Sequence, residues 1–329
     1  MWFKKLMGFE DTRYQDVKNN IVVKDNRIES LINGASYQFG KLEVLTLSEL
    51  IDLTPPKEAF KGFINVSQIV ANVRDLHNDE ENENAMFQAA SQFNLLEMIA
   101  PHISPENGVD RYEQDYTQGP ACAISCGAGT IYRNYFAEVN GKSGQTRSNQ
   151  IDCLELIGKE LRNEELNLWN MRNGYALPSK EGILNINKVI WGLTDSEREI
   201  LKSKLKVGIQ SNTEVTTSDN GHLVNQIYCS ALPVSYSQLD PIYFEPFARL
   251  ILEATYEATL FAALRNMEKT NSNKLYLTLV GGGAFGNQMD WIMDSIGIAI
   301  SKFKNTPLEV KIVSFGSVNE RLNQMIENI

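Results

Sequence analysis

The hexapeptide Gly281-Gly282-Gly283-Ala284-Phe285-Gly286 stands between an apolar run, Leu275-Tyr276-Leu277-Thr278-Leu279-Val280, and a helical pattern from Gln288 to Phe303. A second apolar run, Leu308 to Phe315, follows that helix. Strand, tight loop, helix and strand in this order make a β-loop-α-β unit, whose two strands must lie parallel with a right-handed crossover. The chain is therefore expected to be an α/β protein. Gly281, Gly283 and Gly286 satisfy G-x-G-x-x-G at a strand-to-helix junction, so the backbone can approach an anionic phosphate and aim helix-start N–H groups at it. A dinucleotide oxidoreductase would also need an acid at the end of the next strand to hold the ribose hydroxyls. That strand ends instead at Ser314-Phe315-Gly316-Ser317. A turn that only lets a helix pack on its strand is the plain alternative, but three consecutive glycines exceed what packing requires.

Upstream, Ala85 to Ser91 reads as a buried strand that delivers Gln92, Phe93, Asn94, Leu95, Leu96 and Glu97 to its carboxyl end, where α/β sheets bind ligands. One helix is expected from Pro120 through Phe136, with small residues Ala121, Cys122, Ser125 and Gly129 at helical spacing. Ile69, Val70, Val73 and Leu76 mark a short helix; Lys206–Gln210 and Leu223–Ala231 read as strands; Phe244–Asn266 reads as a long amphipathic helix. Residues 1–61 read as a peripheral N-terminal extension and residues 62–329 as the main domain. A polar helical insertion is expected at about 140–205, with Trp169 and Trp191 forming its own small core.

Charge narrows the function. With 31 Lys and Arg against 41 Asp and Glu, the net charge is -10, which argues against a nucleic-acid partner held by bulk electrostatics. No apolar run reaches the roughly 18 residues of a membrane span, and Met1-Trp2-Phe3-Lys4-Lys5 leads into no signal-peptide core. The expectation is a soluble protein with no membrane partner, cytoplasmic or delivered into a host cytosol. Cys122, Cys126, Cys153 and Cys229 contain no CxxC pair, so neither a metal site nor a disulfide framework is expected, and they read as packing residues. His77, His102 and His222 lie in polar stretches and read as surface residues.

The order of these segments resembles the macrodomains. Phe87-Gln88-Ala89-Ala90-Ser91-Gln92-Phe93-Asn94-Leu95-Leu96 resembles the strand and loop that carry their Asn-Ala-Ala-Asn motif. Thr117-Gln118-Gly119-Pro120 and the following helix stand where the family has a glycine-rich segment, and Leu275 to Gly286 resembles its second phosphate-contacting loop. The resemblance covers most of residues 62–329 and implies a macrodomain-like three-layer α/β/α fold with a mixed, largely parallel sheet. It also implies ADP-ribose as ligand or product, with no cofactor required. Carried over by position, Gly281, Gly282, Gly283, Ala284, Phe285, Gly286 and Asn287 would wrap the diphosphate. Gln88, Asn94, Thr117, Gln118 and Gly119 would line the site, Asn94 contacting the distal ribose, and Phe315 would pack near the ligand. Two departures stand out: Gln88-Ala89-Ala90-Ser91 replaces Asn-Ala-Ala-Asn, and the Gln-Glu-Glu signature of poly(ADP-ribose) glycohydrolases is absent after the triple glycine. Both argue against poly(ADP-ribose) chain cutting.

Asp110, Glu113 and Asp115 precede the Thr117–Pro120 segment, and Glu97 ends the preceding strand loop. Cleaving an ADP-ribosyl bond needs a carboxylate to activate water or steady an oxocarbenium-like centre, and a proton for the leaving group. Extra acids beside a diphosphate repel it unless the substrate brings a cation, and a guanidinium does so. The expected activity is thus hydrolysis of ADP-ribose from modified protein side chains, arginine-linked first, as in the macrodomain-like arginine-ADP-ribosyl hydrolases. Asp115 is the first catalytic candidate, followed by Glu97, Asp110 and Glu113. The partner would be an ADP-ribosylated protein. A module that binds ADP-ribose without cleaving it is the alternative.

Overall fold

The structure is a computed structural model and describes residues 1–328. Its main elements begin with helix α1 (Trp2–Met7), strands β1 (Lys41–Thr46) and β2 (Asn65–Val70), helix α2 (Val73–Asn78) and strand β3 (Met86–Ala90). Helices α3 (Gln118–Ser125), α4 (Gly127–Tyr135), α5 (Lys180–Gly192) and α6 (Asp195–Ser203) follow, then strands β4 (Lys206–Glu214) and β5 (Leu223–Cys229). The chain ends in α7 (Glu245–Thr270), β6 (Lys274–Leu277), α8 (Met289–Ser301), β7 (Glu309–Ser314) and α9 (Glu320–Glu327).

Seven strands form one sheet in the order β1-β4-β5-β3-β6-β7-β2. Pairings from β5 to β2 are all parallel, and β4 alone runs against its neighbours β5 and β1. Strand alternation sorts the two faces. Gln88 of β3 turns toward α7, where its amide donates to the Thr259 hydroxyl at 2.8 Å. Phe87 turns the other way and stacks on His77 of α2 with ring centroids 3.8 Å apart. Gln226, its register partner on β5, donates to the Cys122 carbonyl of α3 at 2.9 Å. Helices cover both faces, so the fold is the expected three-layer α/β/α arrangement with a mixed, largely parallel sheet.

Several local expectations change. Ile69 and Val70 belong to β2, paired with Val313 and Ser314 of β7, and the helix starts only at Val73, where the Asn72 side chain accepts from the Arg74 N–H. β-Branched residues favour the pleated strand over a helix here. The helix expected from Pro120 to Phe136 breaks at Cys126 into α3 and α4. Gly127 presses so closely on α1 that a Cβ there would lie 2.7 Å from the Trp2 ring, and its N–H donates to Thr216 rather than continuing the helical ladder. α7 is not amphipathic, because every residue from Leu250 to Leu264 is buried. Its acids Glu253 and Glu257 are matched by Arg198 and Lys202 of α6 and by Lys302.

Residues 1–61, read as an extension, supply the edge strand β1 and a second apolar cluster in which Trp2, Phe3, Leu6 and Met7 pack with Ala123, Ile131 and Tyr135 of α3 and α4. Residues 140–205 contribute Ile157, Trp169, Ile183 and Ile186 to the main core. Trp169 packs against Phe247 of α7, whereas Trp191 is 72% exposed, so the two tryptophans share no core. His77 and His222 are buried, not superficial, because they join the polar contacts between sheet and α2. All four cysteines are buried and free. No helix among the described residues is long and apolar enough to cross a membrane.

Candidate functional site

The carboxyl ends of β3, β5, β6 and β7 meet at one edge of the sheet, and the segments leaving them enclose a cavity of about 600 Å³. Sequence reasoning placed seventeen side chains and loop positions here, and the fold sorts them into two groups. Glu97, Asp115, Thr117, Gln118, Gly119, Gly281, Gly282, Gly283, Ala284, Phe285 and Phe315 line the cavity. Asp110, Glu113, Gln88, Asn94, Gly286 and Asn287 do not.

The glycine loop is held from behind. Gly281 takes a φ of 78°, and a Cβ on it would lie 2.5 Å from that of Ala231, so glycine is required on both counts. The buried Asn287 amide donates to the Leu232 carbonyl at 2.8 Å, its backbone N–H to the Gly281 carbonyl at 2.9 Å, and the Ser235 N–H to the Phe285 carbonyl at 3.0 Å. With these carbonyls occupied, the N–H groups of Gly283, Ala284 and Phe285 have no acceptor among the described residues. A second set of free amides stands at the start of α3. Thr117 makes no side-chain cap, Pro120 has no N–H, and the N–H groups of Gln118 and Gly119 are likewise unmatched. Free amides and a helix N-terminus on one cavity favour an anionic ligand. Thr278 ties the two sets together, its hydroxyl donating to Gln118 Oε1 at 2.6 Å.

Gly119 also makes room for the acid. A Cβ there would lie 2.1 Å from the Ala90 carbonyl oxygen and 2.6 Å from Glu97 Oε2. Glu97 is 5% exposed, its N–H donates to the Tyr112 hydroxyl at 3.0 Å, and its Oε1 has no partner among the described residues. Burial pushes its pKa well above the ordinary carboxyl range; Arg133 opposes the rise and the charge of Asp115 adds to it. Asp115 is half-buried, and its Oδ1 accepts the Thr117 N–H at 2.8 Å. The cavity therefore brings together one carboxyl whose burial favours its neutral form and a second acid, a pairing suited to general acid–base chemistry.

The remaining acids serve the frame. Asp110 faces Asp11 and the N–H of Phe3, and Glu113 pairs with the N-terminal amine at 3.4 Å. They sit on a 3-10 turn, Asp110–Gln114, and neither lines the cavity. Gln88 bridges β3 to Thr259 and to the Thr278 N–H, and Asn94 donates to Gln150 while its Oδ1 accepts the Leu96 N–H. Both are satisfied internally and leave nothing for a ligand.

Sequence reasoning missed Tyr175 and Tyr236. With Phe285 they form an aromatic cluster, centroids 5.0 to 5.8 Å apart, at the cavity wall. Tyr175 comes from the hairpin Trp169–Arg172 and Tyr175–Pro178, whose Asn173-Gly174 turn is a strong hairpin signal that went unread. That hairpin docks on the acid loop, the Gly174 carbonyl accepting the Phe93 N–H at 3.0 Å. No short pattern marks Tyr236. The opposite wall carries Val318, Asn319 and Arg321, the last paired with Asp290. No group of three or more His, Cys, Asp or Glu side chains suited to a metal occurs among the described residues.

A three-layer α/β/α protein with an amide-lined, acid-bearing cavity at the carboxyl edge of its sheet is the class these features define. No protein-family model matches the chain, and no curated protein does. Among solved structures it is similar to poly(ADP-ribose) glycohydrolase from Deinococcus radiodurans in complex with ADP-ribose, at 12% identity over 86% of this chain and 90% of that one, with a TM-score of 0.43. The Thermomonospora curvata enzyme bound to the inhibitor ADP-HPD is similar at 9% identity over 95% of each chain, with a TM-score of 0.43.

Proposed function

We propose that the protein hydrolyses ADP-ribosyl bonds to protein side chains, with Asp115 activating water or steadying charge at the anomeric carbon and Glu97 donating a proton where the leaving group needs one. The observation that carries this reading is the convergence of two free-amide clusters and two acids on a single cavity of about 600 Å³, a size suited to a nucleotide sugar. The amides suit a diphosphate, and the Tyr175, Tyr236 and Phe285 rings supply apolar wall beside it. Arginine-linked mono-ADP-ribose remains the first substrate proposed: Asp115 offers a guanidinium its counter-charge. Asp110 and Glu113 no longer support that linkage, since they turn away from the cavity.

Burial of Glu97, which favours its neutral form, supports a second reading. A guanidinium leaves with its proton already in place, whereas an oxygen leaving group needs one supplied, so the raised Glu97 pKa fits an O-linked bond such as that to serine. Purified protein assayed on arginine-, serine- and glutamate-linked ADP-ribosyl peptides separates the two. Release from arginine alone supports the first, release from serine the second. Tight calorimetric binding of ADP-ribose with no release from any peptide means a binding module.

A further inference from the structure

Arg133, on α4, is 1% exposed, yet among the described residues it forms no ion pair. A buried cation without a counter-ion is expensive to keep unless the fold uses its field or its geometry. Its guanidinium lies over the Tyr228 ring at 3.6 Å and donates to Gln210 Oε1 at 3.3 Å and the Thr130 hydroxyl at 3.0 Å. Its Nε donates to the Leu95 carbonyl at 3.2 Å. Leu95 is the strained point of the acid loop, with a φ of 64° that a leucine adopts only under compulsion. Gly208 of β4 gives that side chain its seat, since a Cβ there would lie 2.3 Å from Leu95 Cδ1. A second tie runs beside the first: the Gln145 amide donates to the carbonyls of both Asn94 and Arg133 at 3.1 Å. The loop then closes on itself through Gln92, whose side chain accepts the Met98 N–H at 2.7 Å, and Glu97 rides between these anchors.

We propose that Arg133 is a positioning residue for Glu97: it clamps the left-handed Leu95 from inside the core and applies its positive charge to the buried Glu97 carboxyl. The inference rests on the hydrolase reading only for its meaning in catalysis; the physical coupling stands without it. The groups that face Glu97 electrostatically are Asp115 and Tyr112 before α3, Cys122 on α3, Tyr228 and Cys229 on β5, Tyr175 on the hairpin, and Arg133. Burial holds the tyrosines and cysteines among them protonated, so Arg133 and Asp115 set the local field with opposite signs.

The test titrates Glu97 directly by carbon NMR of glutamate-labelled full-length protein, its resonance assigned by disappearance in E97Q. R133M should raise the Glu97 midpoint by about one pH unit or more relative to wild type; an unchanged midpoint overturns the proposal. If R133M does not fold, R133K replaces it, keeping the charge and losing the forked contacts. Its midpoint should stay within about half a unit of wild type, and a larger rise overturns the assignment. Where the wild type hydrolyses an ADP-ribosyl peptide, R133K should lower kcat about tenfold with KM unmoved. Absence of hydrolysis in wild type would count against the proposed function, while the titration would still decide the coupling.

Discussion

Glu97 and Asp115 reach the same cavity from different surroundings, and their variants should fail differently. Glu97→Gln keeps the shape of the buried side chain and removes the proton-donor role proposed for it, so on that reading turnover should fall by roughly 10²–10⁴ with ADP-ribose affinity nearly unchanged. Single-turnover rates beside calorimetry check this, and a fall in affinity matching the fall in rate would contradict the role. Because burial raises the Glu97 pKa, the donor is lost as pH climbs, and wild-type activity should decline on the alkaline side. Stability follows the same sign. Above the ordinary 4.5 of an unfolded glutamate, and up to its raised folded value, the native state holds a proton that the unfolded chain has released, so burial of Glu97 costs more stability as pH rises. E97Q should therefore gain melting temperature over wild type at pH 8 and little or none at pH 5. That Glu97 and Asp115 share the cavity was legible because a strand end and a helix start announce themselves in sequence. That Asp110, Glu113, Gln88 and Asn94 lie outside its lining was not, because closeness along a 3-10 turn says nothing of direction and a polar side chain bonded within the core looks, in sequence, like one that is not.

The start of α3 and the glycine loop offer a contrast at the level of elements. Gly119→Ala would force a Cβ to within 2.1 Å of the Ala90 carbonyl oxygen, which is backbone of β3 and cannot step aside. Displacement of the helix start should cost about 1–3 kcal/mol in chemical denaturation and abolish nucleotide binding together. At Gly283 a Cβ meets nothing within 4 Å, so Gly283→Ala should fold with nearly wild-type stability while the new methyl crowds the free amide beside it and weakens ADP-ribose binding about tenfold. Equal affinity of G283A and wild type would remove this loop from the ligand's path. The β-loop-α-β unit was readable because strand, glycine turn and helix each carry a distinct period, and β3, β5, β6 and β7 fell where apolar runs predicted them. The break between α3 and α4 was not, since it answers to the Trp2 ring, a contact more than a hundred residues away along the chain. The Asn173-Gly174 turn of the hairpin is legible in sequence, but nothing in its flanks says that it docks on the acid loop.

At the scale of the whole molecule, two buried groups, His77 and Glu97, respond to pH with opposite signs. His77 is fully enclosed between α2 and the sheet, and burial lowers its pKa from 6.5 to about 4. Its tautomer is fixed by neighbours: the Gln226 amide must donate to the Cys122 carbonyl, and the same nitrogen donates to His77 Nε2 at 3.0 Å, which leaves Nδ1–H to donate to the Val73 carbonyl at 2.7 Å. A proton added at Nε2 would face that donor, so the fold resists protonation geometrically as well as by desolvation. Between pH 6.5 and about 4 the unfolded chain binds a proton that the native state refuses, so stability is present above pH 6.5 and is lost as pH falls through that window. The loss should approach about 3 kcal/mol once the window is crossed. Urea unfolding at several pH values between 4 and 7 should show this slope in E97Q, where the opposing Glu97 titration is absent, and a flatter one in H77Q/E97Q, in which neither position titrates. Because Glu97 weakens the fold as pH rises from 4.5, the two slopes oppose each other in wild type, and H77Q alone should lose stability as pH rises from that point. Retention of the full E97Q slope in the double variant would locate the acid sensitivity elsewhere, in the buried lysine and glutamate contacts that join α6 to α7.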